Sequence, residues 1–473
     1  MVFSSILFLL FFLPFVVILY YLLPDRFKNA FLLFSSLAFY AWGGPKFILI
    51  LVGSTLLDYY LVDALSKSIH ENKRRLLLVL SLTITVGLLA YFKYANFFID
   101  NINELLKLLG AGSIPWVKVL LPIGISFFSF QKLTYAVDVY RGVHEPFKKP
   151  QDYLLYIVMF PQLIAGPIIR FNEIVDQIES RVHKTEEIFQ GSVRFIIGLA
   201  KKVLIANALS GYADSIFNGD LQQIDTIQAW LAILAYTFQI YFDFSGYSDM
   251  AIGLGRIFGM RFPENFNNPY ISKNITEFWR RWHITLGRWM KDYLYIPLGG
   301  NRVKSQNRLY FNLIVVFFIS GLWHGAAWNF IIWGLFHGVF LILDRLFLVK
   351  LLNKLGKTFS IVFTFFITIL GWVVFRIEDM QSIKIFYSKL FAFEFTEFVF
   401  GNKLDVLITL IVAMVFSFFT LSKVGLKMEQ IVFETSYTQK VKIILFVICM
   451  VLLFLTIGSI TASKFNPFIY FRF

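Results

Sequence analysis

Apolar runs as long as a bilayer is thick recur along this chain, and they leave the backbone few ways to fold. A hydrocarbon core about 30 Å thick needs roughly 20 apolar residues per helical span, and it admits only helices or closed barrels, because it holds no water for unpaired backbone groups. The runs are continuous, not alternating, which selects helices. Hydrophobic residues make up 58% of the 473 positions and charged residues 16%. That balance is too apolar for a water-covered globule.

Candidate spans fall at 3–23, 29–42, 46–66, 76–93, 119–140, 152–168, 190–209, 226–249, 309–343, 359–377, 404–421 and 443–462. They predict an all-α polytopic membrane protein with about eleven or twelve membrane segments. No Pro/Ser-rich linker, low-complexity tract or fixed-period repeat divides the chain, so one membrane-embedded domain over 1–473 is expected. The stretch Met1 to Leu23 lacks a basic leader and a small-residue cleavage site, and reads as a retained first helix. The net charge of +14 fits basic loops facing anionic headgroups, and the chain has no recognisable nucleic-acid module. The single cysteine, Cys449, excludes an intramolecular disulfide and a thiolate zinc site, and reads as a small core residue.

Loops 67–75, 141–149 and 345–357 are basic, whereas Asp214, Asp220 and Asp225 mark an acidic one. The basic loops are expected on the cytoplasmic side. Placing all of them there forces a mid-chain segment to be something other than a simple crossing. One suspect is 190–209, which carries Arg194, Lys201 and Lys202; the other is 309–343, too long for one upright span and too short for two full ones. Interfacial or re-entrant pieces are expected.

Residues 276–293 follow a different pattern. Trp279, Trp282, Leu286, Trp289 and Tyr293 recur at three- and four-residue spacing and form one apolar stripe at about 100° per residue. Arg280, Arg281, Arg288 and Lys291 fall on the opposite arc, so the segment predicts a helix lying in the membrane interface. His283 projects beside Met290 at the edge of the aromatic side, pointing inward.

Of the six histidines, His70, His144 and His183 lie in charged loops, while His283, His324 and His337 lie in or beside apolar sequence. An ionisable group at membrane depth is costly and defaults to a functional role in the protein interior. Packing as a satisfied buried imidazole is the competing reading. Gly321-Leu-Trp-His324-Gly325 is echoed by Gly334-Leu-Phe-His337-Gly338. Glycines four apart let a neighbouring backbone approach closely. On one continuous helix the two imidazoles would stand about 20 Å apart, so only one of them joins any single site. Histidine suits hydroxyl acylation because its ordinary pKa near neutrality lets it take the acceptor's proton while a thioester carbonyl is attacked. No G-x-S-x-G elbow, H-E-x-x-H zinc motif or P-loop is present, and no metal ligand set or bound cofactor is expected. Asn274-Ile-Thr276 matches a glycosylation acceptor by chance.

The segment Tyr241-Phe-Asp243-Phe-Ser245-Gly-Tyr247-Ser-Asp249 ends an apolar run with two carboxylates and several hydroxyls. These groups either line a polar tunnel or pair with nearby arginines such as Arg256.

Several ordered blocks carry a resemblance: Ser129-Phe-Gln-Lys-Leu-Thr-Tyr-Ala-Val-Asp-Val-Tyr-Arg141, Phe160-Pro-Gln-Leu-Ile-Ala-Gly-Pro-Ile-Ile-Arg170, Tyr241 to Asp249, Phe278-Trp-Arg-Arg-Trp-His283, Lys291-Asp-Tyr-Leu-Tyr-Ile-Pro-Leu-Gly-Gly-Asn-Arg302 and Gly321-Leu-Trp-His-Gly-Ala-Ala-Trp328. With these the chain resembles the membrane-bound O-acyltransferase family, in the branch of bacterial alginate O-acetyltransferases. The core of the resemblance spans about 122–340, with outer helices at 1–121 and 341–473. It implies a ring of tilted helices with interfacial or re-entrant helices around a central tunnel, in the bacterial inner membrane. It also implies transfer of an acyl group, acetyl in this branch, from a cytoplasmic thioester such as acetyl-CoA to hydroxyls of an extracytoplasmic polysaccharide, with a partner acetyltransferase outside the membrane. The family's essential histidine falls on His324 and its second polar position on His283, which leaves His337 to packing. Arg280, Arg281, Arg288 and Lys291 then face the donor's phosphates or an acidic carrier protein, or else anionic lipid. Asp243, Ser245, Tyr247 and Asp249 are candidate tunnel groups. The sibling branch passes D-alanine from a carrier protein toward teichoic acid. A transporter or flippase without acyl chemistry is the alternative from another class.

Overall fold

The computed structural model describes residues 2–395, 404–433 and 437–462. The described residues form helices and connecting turns, with no strand among them. Two compact units emerge, Met1–Ile188 with Leu254–Phe262, and Phe189–Gly253 with Pro263–Phe473.

The first unit carries α1 (Leu13–Leu22), α2 (Asp25–Gly43), α3 (Ile48–Lys67), α4 (Glu71–Leu89), α5 (Ala95–Leu108), α6 (Ile125–Tyr140), α7 (Pro150–Val158), α8 (Phe160–Leu163) and α9 (Phe171–Glu179). Its apolar helices hide a few polar contacts that hydrocarbon would otherwise penalise. Asp58 on α3 is 3% exposed and accepts hydrogen bonds from the hydroxyls of Ser81 and Tyr153. The predicted span 152–168 is broken at Met159, whose extended ψ of 114° separates α7 from α8.

Toward the second unit the chain continues through α10 (Thr185–Ala200), α11 (Asn207–Phe217) and α12 (Thr226–Ile257), then α13 (Ile275–Arg281), α14 (Ile284–Met290), α15 (Gln306–His324), α16 (Trp328–Leu343), α17 (Val349–Leu355) and α18 (Lys357–Arg376). It ends with α19 (Met380–Leu390), α20 (Leu404–Phe418), α21 (Lys423–Phe433) and α22 (Gln439–Ala462). Among the described residues, five helical stretches are long and apolar enough to cross a membrane: Pro45–Lys67, Glu71–Leu108, Lys357–Arg376, Leu404–Leu421 and Gln439–Ala462. A shorter one is Phe8–Leu22. All six coincide with predicted spans. Cys449 is buried on α22, as its core reading requires.

The cationic segment 190–209 is reconciled with burial by ion pairing. Arg194 binds Asp249 at 2.8 Å, Lys201 binds the same carboxylate at 2.7 Å, and Lys202 binds Asp243 at 2.7 Å. Of the two sequence readings of these carboxylates, pairing with cations is thus met by Arg194, Lys201 and Lys202. Gly198, Gly246 and Gly253 make this pairing possible, because a Cβ on any of them would strike backbone of the facing helix.

The stretch 309–343 folds back on itself. Gly325 and Ala327 take extended backbone conformations, with φ of −162° and −152°, and end α15 and start α16. At about 1.5 Å per residue the two helices reach about 28 Å and about 24 Å. Gly321 and Gly334 lie at their crossing, where a methyl on either would collide with a carbonyl oxygen of the other helix, Phe330 or Phe317. The close approach read from the glycine spacing thus occurs between the two halves of the same stretch.

The amphipathic segment 276–293 is two helices, not one. Trp282 and His283 interrupt it, and His283 takes a left-handed φ of 44°. Asn274 starts α13 by accepting a hydrogen bond from the Glu277 amide at 2.7 Å, a capping role. Thr276 fixes α13 to the end of α16, its amide and hydroxyl donating to Asp344 at 2.7 and 2.8 Å.

Candidate functional site

The hairpin of α15 and α16 delivers one side of the site. His324 is the last residue of α15 and is 5% exposed. Trp333 of α16 stands edge-on to it at 5.0 Å between ring centroids, and Phe375 of α18 does the same at 5.4 Å. His337, one turn after Trp333 and fully buried, also meets that indole, at 5.1 Å between ring centroids. Trp279 of α13 lies 5.0 Å beyond His337. Because α15 and α16 are separate helices, the continuous-helix spacing considered for the two histidines does not apply.

The break between α13 and α14 delivers the other side. His283 is 1% exposed, and its ring centroid lies 6.5 Å from that of His324. Phe244 of α12 packs edge-on to it at 4.7 Å, and Trp323 lies 5.7 Å away. Sequence analysis pointed His283 inward, and inward is where it lies. Burial, with the charge of His324 as a smaller contribution, holds its imidazole well below the ordinary histidine range. The ring is therefore neutral at neutral pH.

Asn265, which sequence reasoning missed, organises this break. Its Oδ1 accepts from the Thr285 hydroxyl at 2.8 Å and lies 3.0 Å from Nδ1 of His283, while its Nδ2 donates to Ser248 at 3.0 Å. Two backbone bonds clamp the same strip of chain, Ile284 to Asn265 and Asn267 to Arg281, each 2.9 Å. Nε2 of His283 is buried and has no hydrogen-bond partner among the described residues.

The other sequence candidates distribute differently. Arg280, on α13, and Arg288 and Lys291, at the end of α14, are each exposed. Arg281 is half-buried, paired with Glu277 at 2.9 Å, and holds the Asn267 carbonyl. Asp243 and Asp249 are occupied by the cations of the preceding segment. Ser245 and Tyr247 are buried. Among the described residues no cluster of three or more His, Cys, Asp or Glu side chains could hold a metal ion.

A cavity of about 500 Å³ opens at the end of α18, lined by Phe217, Asn218, Asp220, Arg376, Glu378 and Asp379 among others. Arg376 binds Asp214 and Asn218, each at 3.0 Å. Its chain neighbour Phe375 is the ring that touches His324.

The profile of the membrane-bound O-acyltransferase family matches residues 149–351. The probable alginate O-acetylase of Pseudomonas aeruginosa is 45% identical over 394 residues, covering 83% of this chain and 75% of that protein. Its counterpart from Pseudomonas putida is 39% identical over 488 residues, the full length of both chains. The peptidoglycan O-acetyltransferase of Helicobacter pylori is 39% identical over 417 residues, 81% of this chain and 78% of its own. Together with the apolar helices and the paired buried imidazoles, this similarity means that the chain belongs to the membrane-bound O-acyltransferase family and is a multi-pass membrane enzyme of that kind.

Proposed function

We propose that this enzyme moves an acetyl group from cytoplasmic acetyl-CoA to hydroxyls of an extracytoplasmic polysaccharide, directly or through a separate extracytoplasmic acetyltransferase, in the bacterial inner membrane. The observation that carries the reading is the pair of buried imidazoles, His283 and His324, 6.5 Å apart between ring centroids. Ring contacts run from Trp279, beside Arg280, through His337, Trp333 and His324 to Phe375, beside Arg376.

Orientation follows from charge. The loop 345–357 is basic and belongs on the cytoplasmic side. From there α18 crosses in 20 residues, about 30 Å, and brings Arg376 and the acidic cavity to the opposite face. Arg280, Arg288 and Lys291 meet the donor's phosphates on the basic side. The carboxylates and amides of the cavity accept and donate hydrogen bonds to sugar hydroxyls on the other.

In the transfer, a sugar hydroxyl attacks the thioester carbonyl, its proton passes to imidazole, and the carbon–sulfur bond breaks to release the thiol. His324 acts as general base or proton relay, with His283 beside it. The test is turnover of labelled acetyl-CoA by purified protein in detergent. His324→Ala is expected to abolish it without unfolding the protein, and retained turnover would overturn the assignment. A donor screen that includes an acyl-loaded carrier protein separates acetyl from D-alanyl transfer. Absence of turnover with every thioester would favour transport without acyl chemistry.

A further inference from the structure

The orientation of the Asn265 amide can be read from its neighbours. The backbone N–H of Thr285 points to one atom of the Asn265 side chain at 3.3 Å, and a backbone N–H only donates. That atom is therefore the carbonyl oxygen, and the amide nitrogen faces Ser248 at 3.0 Å. The atom of His283 that faces the same oxygen, Nδ1 at 3.0 Å, must carry a proton to bond it. In a neutral imidazole only one nitrogen is protonated, so the lone pair sits on Nε2.

That lone pair is aimed at no described residue. Nε2 is buried without a hydrogen-bond partner, in a ring whose neighbours are Phe244, Trp323 and His324. A buried acceptor left unmatched is costly, because it gives up its hydrogen bond to water. The left-handed φ of 44° at His283 is a further cost, since a side chain with a Cβ is strained there. Both are borne by a residue whose ring is clamped by the Asn265 loop, which holds the chain on both sides of the break. Strain with an unsatisfied acceptor marks a group prepared for an incoming donor.

We infer that Asn265 is a positioning residue that locks His283 with its proton on Nδ1, so that the acceptor hydroxyl hands its proton to Nε2 of His283. This rests on the acyl-transfer reading above and divides the labour within it. The hydroxyl oxygen bonds to the thioester carbon as its proton moves to Nε2. The carbon–sulfur bond then breaks, and the proton leaves the imidazolium for the departing thiolate, with His324 as relay. Through these steps Asn265 keeps accepting from Nδ1–H, a bond that strengthens when the ring becomes cationic. No oxidant or metal is needed.

The experiment is nitrogen-15 NMR of histidine-labelled full-length protein, with the His283 signal assigned by its loss in His283→Gln. The wild type is expected to show a protonated Nδ1 and an unprotonated Nε2 at this residue. In Asn265→Ala that signature should be lost, and kcat for thioester transfer should fall about 100-fold with KM for the donor unchanged. Asn265→Asp keeps an acceptor for Nδ1–H and should recover most of the turnover. A proton on Nε2 in the wild type overturns the inference, as does an Asn265→Ala protein with unaltered tautomer and kcat. The NMR signature does not depend on activity. A wild type with protonated Nδ1 that turns over no thioester therefore sinks the acyl-transfer reading and not the tautomer assignment.

Discussion

Trp333 stands edge-on to His324, with ring centroids 5.0 Å apart and planes 89° from parallel. The positive edge of one ring meets the face of the other, an arrangement that gives about 0.5–1.5 kcal/mol beyond simple burial. Trp333 is fully buried and touches His337 as well. Replacing it with alanine opens a hole between the two imidazoles and should cost about 3–5 kcal/mol of stability. Trp333→Phe keeps most of the volume, and should retain the fold while lowering turnover. Thermal unfolding in detergent alongside acetyl transfer checks both outcomes.

The crossing of α15 and α16 has no room for side chains at Gly321 or Gly334, since a methyl on either would meet a carbonyl oxygen of the partner helix. Rigid backbone cannot yield as a flexible side chain does. Gly321→Ala should destabilise by about 1–3 kcal/mol and displace His324, three residues on. A melting curve matching the wild type, with full turnover, would contradict this.

Acid should weaken the fold through His283. Its folded pKa is depressed by burial, whereas the unfolded imidazole titrates near 6.5. Below about pH 6.5 the unfolded state therefore binds a proton that the folded state refuses, so this contribution is intact above that pH and declines as pH falls. Melting temperatures compared at about pH 7.5 and about pH 5 should drop more for wild type than for His283→Gln.

The buried pair of Lys202 and Asp243, 2.7 Å apart and each at most 3% exposed in the side chain, predicts a non-additive double substitution. Asp243→Leu alone strands a buried ammonium and should cost about 3–5 kcal/mol. Adding Lys202→Met removes the stranded charge and should recover most of that loss. Equal, additive losses in denaturant melts would mean that the pair is not coupled.

Neutralising the exposed cations Arg280, Arg288 and Lys291 is expected to raise the donor KM. The triple glutamine variant should bind acetyl-CoA about tenfold more weakly, about 1.4 kcal/mol, with kcat unchanged, and added salt should narrow the difference. An unchanged KM with weakened attachment to anionic vesicles would assign these cations to lipid instead.

The long apolar runs were legible because hydrophobicity over about 20 residues reports a span directly. The aromatic stripe of 276–293 was legible because helical periodicity survives a short interruption. The interruption itself was not, since the positive φ at His283 is held by contacts with the distant Asn265 loop and leaves no mark in the local pattern. The fold-back at Gly325-Ala-Ala-Trp328 was equally silent: it lacks proline and charge, and only the excess length of 309–343 hinted at it. Asn265 escaped because it acts across 18 residues of irregular chain, where no periodicity ties a loop amide to a distant imidazole. Asp243 and Asp249 could be recognised as buried carboxylates, but their partners depend on helix packing that pattern alone does not give.

A single peptide bond joins Phe375, which walls His324, to Arg376, which lines the acidic cavity. If the cavity receives the acceptor as proposed, selectivity for what enters and reactivity toward it are coupled through one backbone link, from the guanidinium to the ring against the imidazole. On that reading, redesign of this helix end toward a new acceptor is expected to alter the rate along with the preference.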